Sequence, residues 1–211
     1  MICFIFTEPS AENIFEKSIA FTVELKCENA DGFQAFGTAV LTDSENLVTN
    51  AHVVVFSKSG ETRIFDVYSV RFAFEYTYRQ VELIRFDENA DLAVLKLKEK
   101  PDFAKAVKSG NSDNLKAGET VYAVGNSMNY GLSITQGIVG VPLVEIEYLG
   151  RTKTVIQCAL TIADGNGGGA LLDIKGRLIG ITTFRTKDNS GNVVYGLAYC
   201  IPIKTIKIYM K

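Results

Sequence analysis

Apolar and polar residues alternate along most of this chain with a period of two, the signature of strands buried on one face. The longest example is VRFAFEYTYRQV, residues 70–81, where Phe72, Phe74, Tyr76 and Tyr78 take every second position and predict one continuous strand. Leu95-Lys96-Leu97-Lys98 repeats the alternation, and the β-branched runs LVTNAHVVVF, ETVYAVG, RTKTVIQCAL and GRLIGITTF are set off by Gly, Asn and Asp. Helical spacing occurs only near the ends. Ser10 is placed to cap a helix running to about Ala20, with Ile14, Phe15 and Ile19 on one face. After Pro202, the segment IKTIKIYMK puts Ile203, Ile206 and Met210 on one side. Strands at this density without long helices between them predict an all-β sandwich or barrels. Between Lys98 and Gly118 the chain turns polar around Pro101 and Gly110, which divides the strands into two similar halves.

Composition narrows the choices. The 211 residues suffice for one large domain or two small ones, and 47% hydrophobic with 22% charged residues is ordinary for a folded protein. Phe and Tyr supply the core bulk, since Trp is absent. A net charge of −2 offers no basic field for nucleic acid. No apolar run reaches the roughly 20 residues of a membrane helix. The tip MICFIFTEPS has no basic n-region and too short an apolar core for a signal peptide. Cys3, Cys27, Cys158 and Cys200 are scattered without a CxxC pair, which argues against zinc and predicts mostly buried free thiols.

Candidate chemistry centres on TIADGNGGGALLD, residues 161–173, which crowds Gly165, Gly167, Gly168 and Gly169 together. Gly165 to Ala170 fits the G-x-G-x-x-A dinucleotide fingerprint, but that motif needs a helix leading out to hold the pyrophosphate. Here ALLDIKGRLIGITTF leads out, and its glycines and β-branched residues predict strand, turn, strand. The lone histidine, His52, follows a strand; Asp91 heads another, in NADLAVL; the glycine loop comes last. Base, orienting carboxylate and glycine-rich loop, in that order, are what acyl transfer requires on a double-barrel fold. A serine hydroxyl needs a neutral imidazole to take its proton, and the developing oxyanion needs two backbone N–H groups that glycines leave accessible.

The segments GTAVLTDSENLVTNAHVV, ADLAVLKLK, AVGNSMNYGLSITQGIVG, IQCALTIADGNGGGALLDIKGRLIGITTF and GLAYCIPI resemble the HtrA (Deg) family of trypsin-fold serine proteases, from about residue 12 to the C-terminus. The resemblance implies two perpendicular six-stranded antiparallel β-barrels with short terminal helices. It implies an N-terminal segment at 1–20, a first barrel at 21–110 carrying His52 and Asp91, and a second at 111–211 carrying the oxyanion loop. His52 would be the general base and Asp91 its orienting acid. The N–H groups of Gly165 and Gly167 would form the oxyanion hole. The backbone of Thr183, Phe184 and Arg185 would pair with an extended peptide or unfolded protein substrate. Ile162 would floor the S1 pocket with Arg185 on its wall, for an aliphatic or, through Arg185, an acidic P1 residue. No metal or organic cofactor is implied. The family often forms trimers, acts outside the cytoplasm and carries a PDZ domain, and no PDZ domain is expected within this chain.

One position departs from the family. Its motif is G-N-S-G-G-A-L, with serine the nucleophile, whereas this chain has Gly167 there. Ser127, Ser133 and Ser190 sit in other predicted loops and are not expected beside His52. Loss of a triad nucleophile costs on the order of a million-fold in turnover, so the chain is expected to be inactive on peptides. Either a glycine was introduced into an endopeptidase, or the chain is a natural pseudoprotease that binds peptides. Glycine at 167 is also expected to leave the loop mobile or collapsed without ligand.

Overall fold

The computed structural model describes residues 9–148, 150–187 and 190–211; Cys3 and most of the apolar tip lie outside them. The first helix, α1 (Ala11–Ser18), starts where Ser10 Oγ accepts the Asn13 N–H at 3.2 Å; Glu12 lies in its first turn, Lys17 in its last, and Ile14 is buried. Strands β1 (Thr22–Glu28), β2 (Gln34–Leu41) and β3 (Asn46–Thr49) follow, then a single helical turn α2 (Ala51–Val54) and a small hairpin of β4 (Val55–Lys58) with β5 (Glu61–Ile64). With β6 (Val67–Arg71), β7 (Arg79–Asp87) and β8 (Leu92–Leu97), the first barrel closes in the order β1-β2-β3-β8-β7-β6. The second contains β9 (Thr120–Asn126), β10 (Leu132–Tyr148), β11 (Arg151–Ala159), β12 (Ala170–Asp173), β13 (Leu178–Lys187) and β14 (Val193–Pro202), in the order β10-β11-β14-β13-β12-β9. The last helix, α3 (Ile203–Tyr209), buries Ile203 and Ile206, with Met210 only partly covered at its end. The chain thus forms the expected all-β double barrel with short terminal helices.

Two strand assignments differ from the sequence reading. VRFAFEYTYRQV is not one strand: β6 ends at Arg71 and β7 begins at Arg79, with a loop between. Glu24, buried in β1, accepts bonds from Arg71 Nη2 at 2.8 Å and Tyr78 OH at 3.1 Å, drawing the loop's ends together. Phe72 is buried and Phe74 is largely exposed, yet both meet the Phe103 ring edge-on, at 5.5 and 5.8 Å, while Tyr76 is 98% exposed. Alternating aromatics here come from a turn folded over Phe103, which imitates strand periodicity. The second difference is LVTNAHVVVF, where Ala51–Val54 leave the strand as α2.

Alternation does position the barrel seam. On β9, Val121 and Ala123 face the second barrel's interior, whereas Tyr122 and Val124 pack into the larger core that continues from the first barrel. β12 repeats this, with Leu171 turned inward and Ala170 and Leu172 turned to the seam. One strand therefore serves two cores with its two faces. Val53 and Val54 of α2 join the same seam core, which anchors His52 at the cleft between the barrels.

Candidate functional site

His52 projects from α2 with its side chain 51% exposed, while Asp91, at the entrance to β8, is buried. Asp91 has a left-handed φ of 52°, a backbone conformation uncommon outside glycine. Its oxygens lie 3.0 Å from His52 Nδ1, Oδ1 accepts the His52 backbone N–H at 3.1 Å, and Oδ2 accepts the Thr183 hydroxyl at 2.5 Å. A carboxylate only accepts, so in the neutral ring Nδ1 holds the hydrogen and Nε2 keeps its lone pair.

Burial alone pushes the Asp91 carboxyl up, but its bonds from His52 and Thr183 outweigh burial and hold it below its ordinary value. A carboxyl lowered by folding stabilises the fold above its unfolded pKa of about 3.9, and that stabilisation is lost as pH falls through the folded value. Denaturant midpoints measured from pH 6 down to pH 3 are therefore expected to fall less steeply for Asp91→Asn than for the parent chain. Equal slopes would remove Asp91 from the acid response.

Across the cleft, residues 163–169 turn twice through left-handed backbone, at Gly165 (φ 88°) and Gly168 (φ 80°). The loop is pinned rather than collapsed. Thr38 of β2 donates its N–H to Gly167 O at 2.9 Å and its hydroxyl to Gly165 O at 2.7 Å. Gly168 N–H donates to Thr182 O at 2.9 Å, and Asn166, buried, takes the Ser127 hydroxyl on Oδ1 at 2.8 Å. With its carbonyls and buried amide so engaged, the loop is not collapsed in this structure. Among the described residues, the N–H groups of Gly165 and Gly167 have no acceptor, and both residues line the cleft. A Cβ built on Gly167 would lie 3.0 Å from His52 Nε2, and Gly167 does not use left-handed backbone.

The structure therefore brings His52, Asp91, Gly165 and Gly167 around one point. Ile162, Thr183, Phe184 and Arg185 line the same cleft of about 340 Å³. Arg185 is ion-paired with Asp164, a partner not foreseen from the sequence. Ser127 and Ser133 bond each other at 2.7 Å, and neither bonds His52; Ser190 is exposed between β13 and β14. Strand β12, with no helix, leads out of the glycine loop, so the dinucleotide reading fails on its own condition. No three His, Cys, Asp or Glu side chains converge as metal ligands among the described residues. Three further residues escaped sequence reasoning: Thr38, Asn50 and the hydroxyl of Thr183. A lone Thr or Asn carries no chemical signal until the fold supplies its neighbour. Tyr148, stacked on Phe184 at a centroid distance of 3.8 Å, also joins the cleft wall.

Two barrels with such a seam define a trypsin-type peptidase architecture, and the chain matches the trypsin-like peptidase domain family over residues 37–181. The chain belongs to that family, and within it is an HtrA-type serine protease domain. It is 32% identical over 184 residues to a probable periplasmic serine endoprotease DegP-like of Buchnera aphidicola subsp. Baizongia pistaciae, covering 86% of this chain and 37% of that protein. It is 30% identical over 189 residues to the periplasmic serine endoprotease DegP of Escherichia coli K12, covering 83% and 35%. The chain thus spans little more than a third of the length of these relatives. Among solved structures, the HtrA-type protease AlgW with tripeptide superimposes with a TM-score of 0.79 at 29% identity, covering 96% of this chain and 63% of that one. AlgW with decapeptide gives 0.77 at 26% identity, covering 96% and 67%.

Proposed function

We propose that this domain binds extended peptides or unfolded protein segments in its cleft and does not hydrolyse them at a useful rate, because Gly167 occupies the nucleophile position of an otherwise complete serine endopeptidase site. In this reading residues 21–110 supply the base and its acid, and residues 111–211 supply the oxyanion loop and the peptide-binding strand. The observation that carries it is the 3.0 Å separation between a Cβ built on Gly167 and His52 Nε2. A side chain starting there would meet the lone pair that a general base uses. His52 then acts as base, Asp91 as its orienting acid, and the free N–H groups of Gly165 and Gly167 as the oxyanion hole. The AlgW structures with tripeptide and decapeptide support peptide occupancy of this cleft by analogy.

Strand β13 supplies the recognition edge. Its pairing with β12 ends at Ile181, while Phe184 and Arg185 still pair with β14 on the other side. Beyond Thr182 the cleft-facing edge has no strand against it among the described residues, so an extended peptide can add there. Ile162 gives the S1 pocket an apolar floor. Asp164 neutralises Arg185 on the wall, which favours aliphatic P1 residues over acidic ones. In a serine-restored chain, Asp164→Asn is expected to raise kcat/KM for acidic over aliphatic P1 by about threefold, the scale of a half-exposed ion pair. P1 profiling with matched peptide libraries reads this directly.

The proposal is tested by fluorescence anisotropy with labelled extended peptides and by gel assay on casein. Saturable binding with intact casein is expected. Casein cleavage that survives Gly167→Ala, or no binding to any extended peptide, would sink it. The codon at position 167 in the native gene separates a natural peptide-binding module from an endopeptidase altered at one residue.

A further inference from the structure

The hairpin of β10 and β11 sorts its charges by face. Residues directly opposite in an antiparallel pair share a face. The register sets Tyr148 against Arg151, Ile146 against Lys153, Glu147 against Thr152 and Glu145 against Thr154. Both cations therefore stand on one face and both acids on the other. Opposite charges set across two strands would stabilise such a hairpin, and this register forbids it. Neither Arg151 nor Lys153 has a side-chain hydrogen bond or ion pair among the described residues. Instead they line a second cavity of about 340 Å³, with Val55, Tyr148 and Phe184 as its apolar walls. His52, Tyr148 and Phe184 line this cavity and the S1 cleft alike, whereas Ile162 and Gly167 line only the cleft. Two carboxylates also border the second cavity, and each already accepts bonds. Asp91 takes those of His52 and Thr183, and Glu88 takes the Thr62 hydroxyl at 3.3 Å.

We propose that this cavity receives the P2 side chain of a bound peptide and selects glutamate there, with Arg151 and Lys153 as the residues that set the preference. The inference rests on the peptide-binding reading above. Successive side chains of an extended strand point to opposite sides. With P1 over Ile162 and the peptide added along Thr183, Phe184 and Arg185, the preceding residue turns away from the S1 pocket, toward the wall shared by His52 and Phe184. A glutamate stem packs its methylenes on Tyr148 and Phe184, and its carboxylate reaches the cations. The Arg151 guanidinium offers two parallel N–H donors to a carboxylate, and the Lys153 ammonium adds a second positive charge. The apolar walls keep water from one side of the pair, which strengthens it. Lysine at P2 would meet two like charges. The favoured segment is thus an acidic residue followed by an aliphatic one.

The test is fluorescence anisotropy of the full chain with labelled peptides in which a single valine among glycines and serines fixes P1. Only the residue before the valine changes. Glu at P2 is expected to bind about fivefold tighter than Gln, and Lys more weakly than Gln. In the double variant Arg151→Gln, Lys153→Gln the Glu-to-Gln ratio is expected to fall to about one. Glu147→Gln changes the net charge on the opposite face of the same hairpin and is expected to keep the parental ratio. An acid moved to P3 is expected to bind no tighter than Gln at P2. Equal binding of the Glu and Gln peptides by the parent chain, a preference that survives in the double variant, or an equal gain from an acid at P3 would each overturn the subsite. Each of those results leaves the peptide-binding reading standing. Binding of no peptide in the series would overturn both.

Discussion

Gly167→Ser is expected to raise cleavage of casein by on the order of a million-fold over the parent chain, the scale on which a triad depends on its nucleophile. The backbone is ready for it, since residue 167 does not use the left-handed region that penalises a side chain. The added Cβ is close to His52 Nε2, at 3.0 Å, so the ring must yield by a few tenths of an ångström. It can, because half of the His52 side chain is in solvent and its hold on Asp91 is a hydrogen bond rather than packing. The serine hydroxyl then donates to Nε2, and attack develops an oxyanion before N–H groups that have no competing acceptor. Labelling by a fluorophosphonate probe is the most direct readout. A serine variant that is folded, binds peptide, and neither labels nor cleaves casein would show that Gly167 is not the nucleophile position.

The neighbouring glycine behaves in the opposite way. Gly168→Ala is expected to destabilise the domain by about 4 kcal/mol, combining left-handed strain with overpacking. Its φ is 80°, and a Cβ would come within 2.2 Å of both Thr38 O and Thr49 Oγ1, which are buried and bonded to each other across β2 and β3. Neither can retreat without opening the first barrel where it clasps the loop. At roughly 2–4 °C per kcal/mol for a domain of this size, the melting temperature should drop by about 12 °C, with loss of peptide binding. Gly167→Ala, one residue away, should change stability by less than about 1 kcal/mol because its methyl points into the cleft. Calorimetry of the two variants side by side decides it; equal stabilities would mean that the loop is not clamped as described.

Much of this architecture was legible in the residues. Ser10 ahead of an amphipathic octet marked α1, Pro202 ahead of Ile203 and Ile206 marked α3, and Leu95-Lys96-Leu97 marked β8. Each is a local signal, set by capping chemistry or by one side chain facing a core. Phe72, Phe74, Tyr76 and Tyr78 misled because alternation records only which residues are apolar. A turn held by Glu24 from a distant strand, folded over Phe103, produces the same record. The short turn at Ala51–Val54 was hidden for a related reason: its valines serve equally well in a strand, and contact with the seam core settles the matter.

The sequence by itself determined the two sets of strands, the order of His52, Asp91 and the glycine loop, and the absence of a side chain at residue 167, because these are properties of residue type and position along the chain. Only the tertiary structure decided that a side chain at 167 would meet His52, that Thr38 braces the loop from the other barrel, that Asp164 neutralises Arg185, and that the buried Asn50 amide ties β3 to Asp91. Those contacts join residues far apart in sequence. Their energies depend on distance and burial, which exist only once both barrels have closed and the seam between them has excluded water.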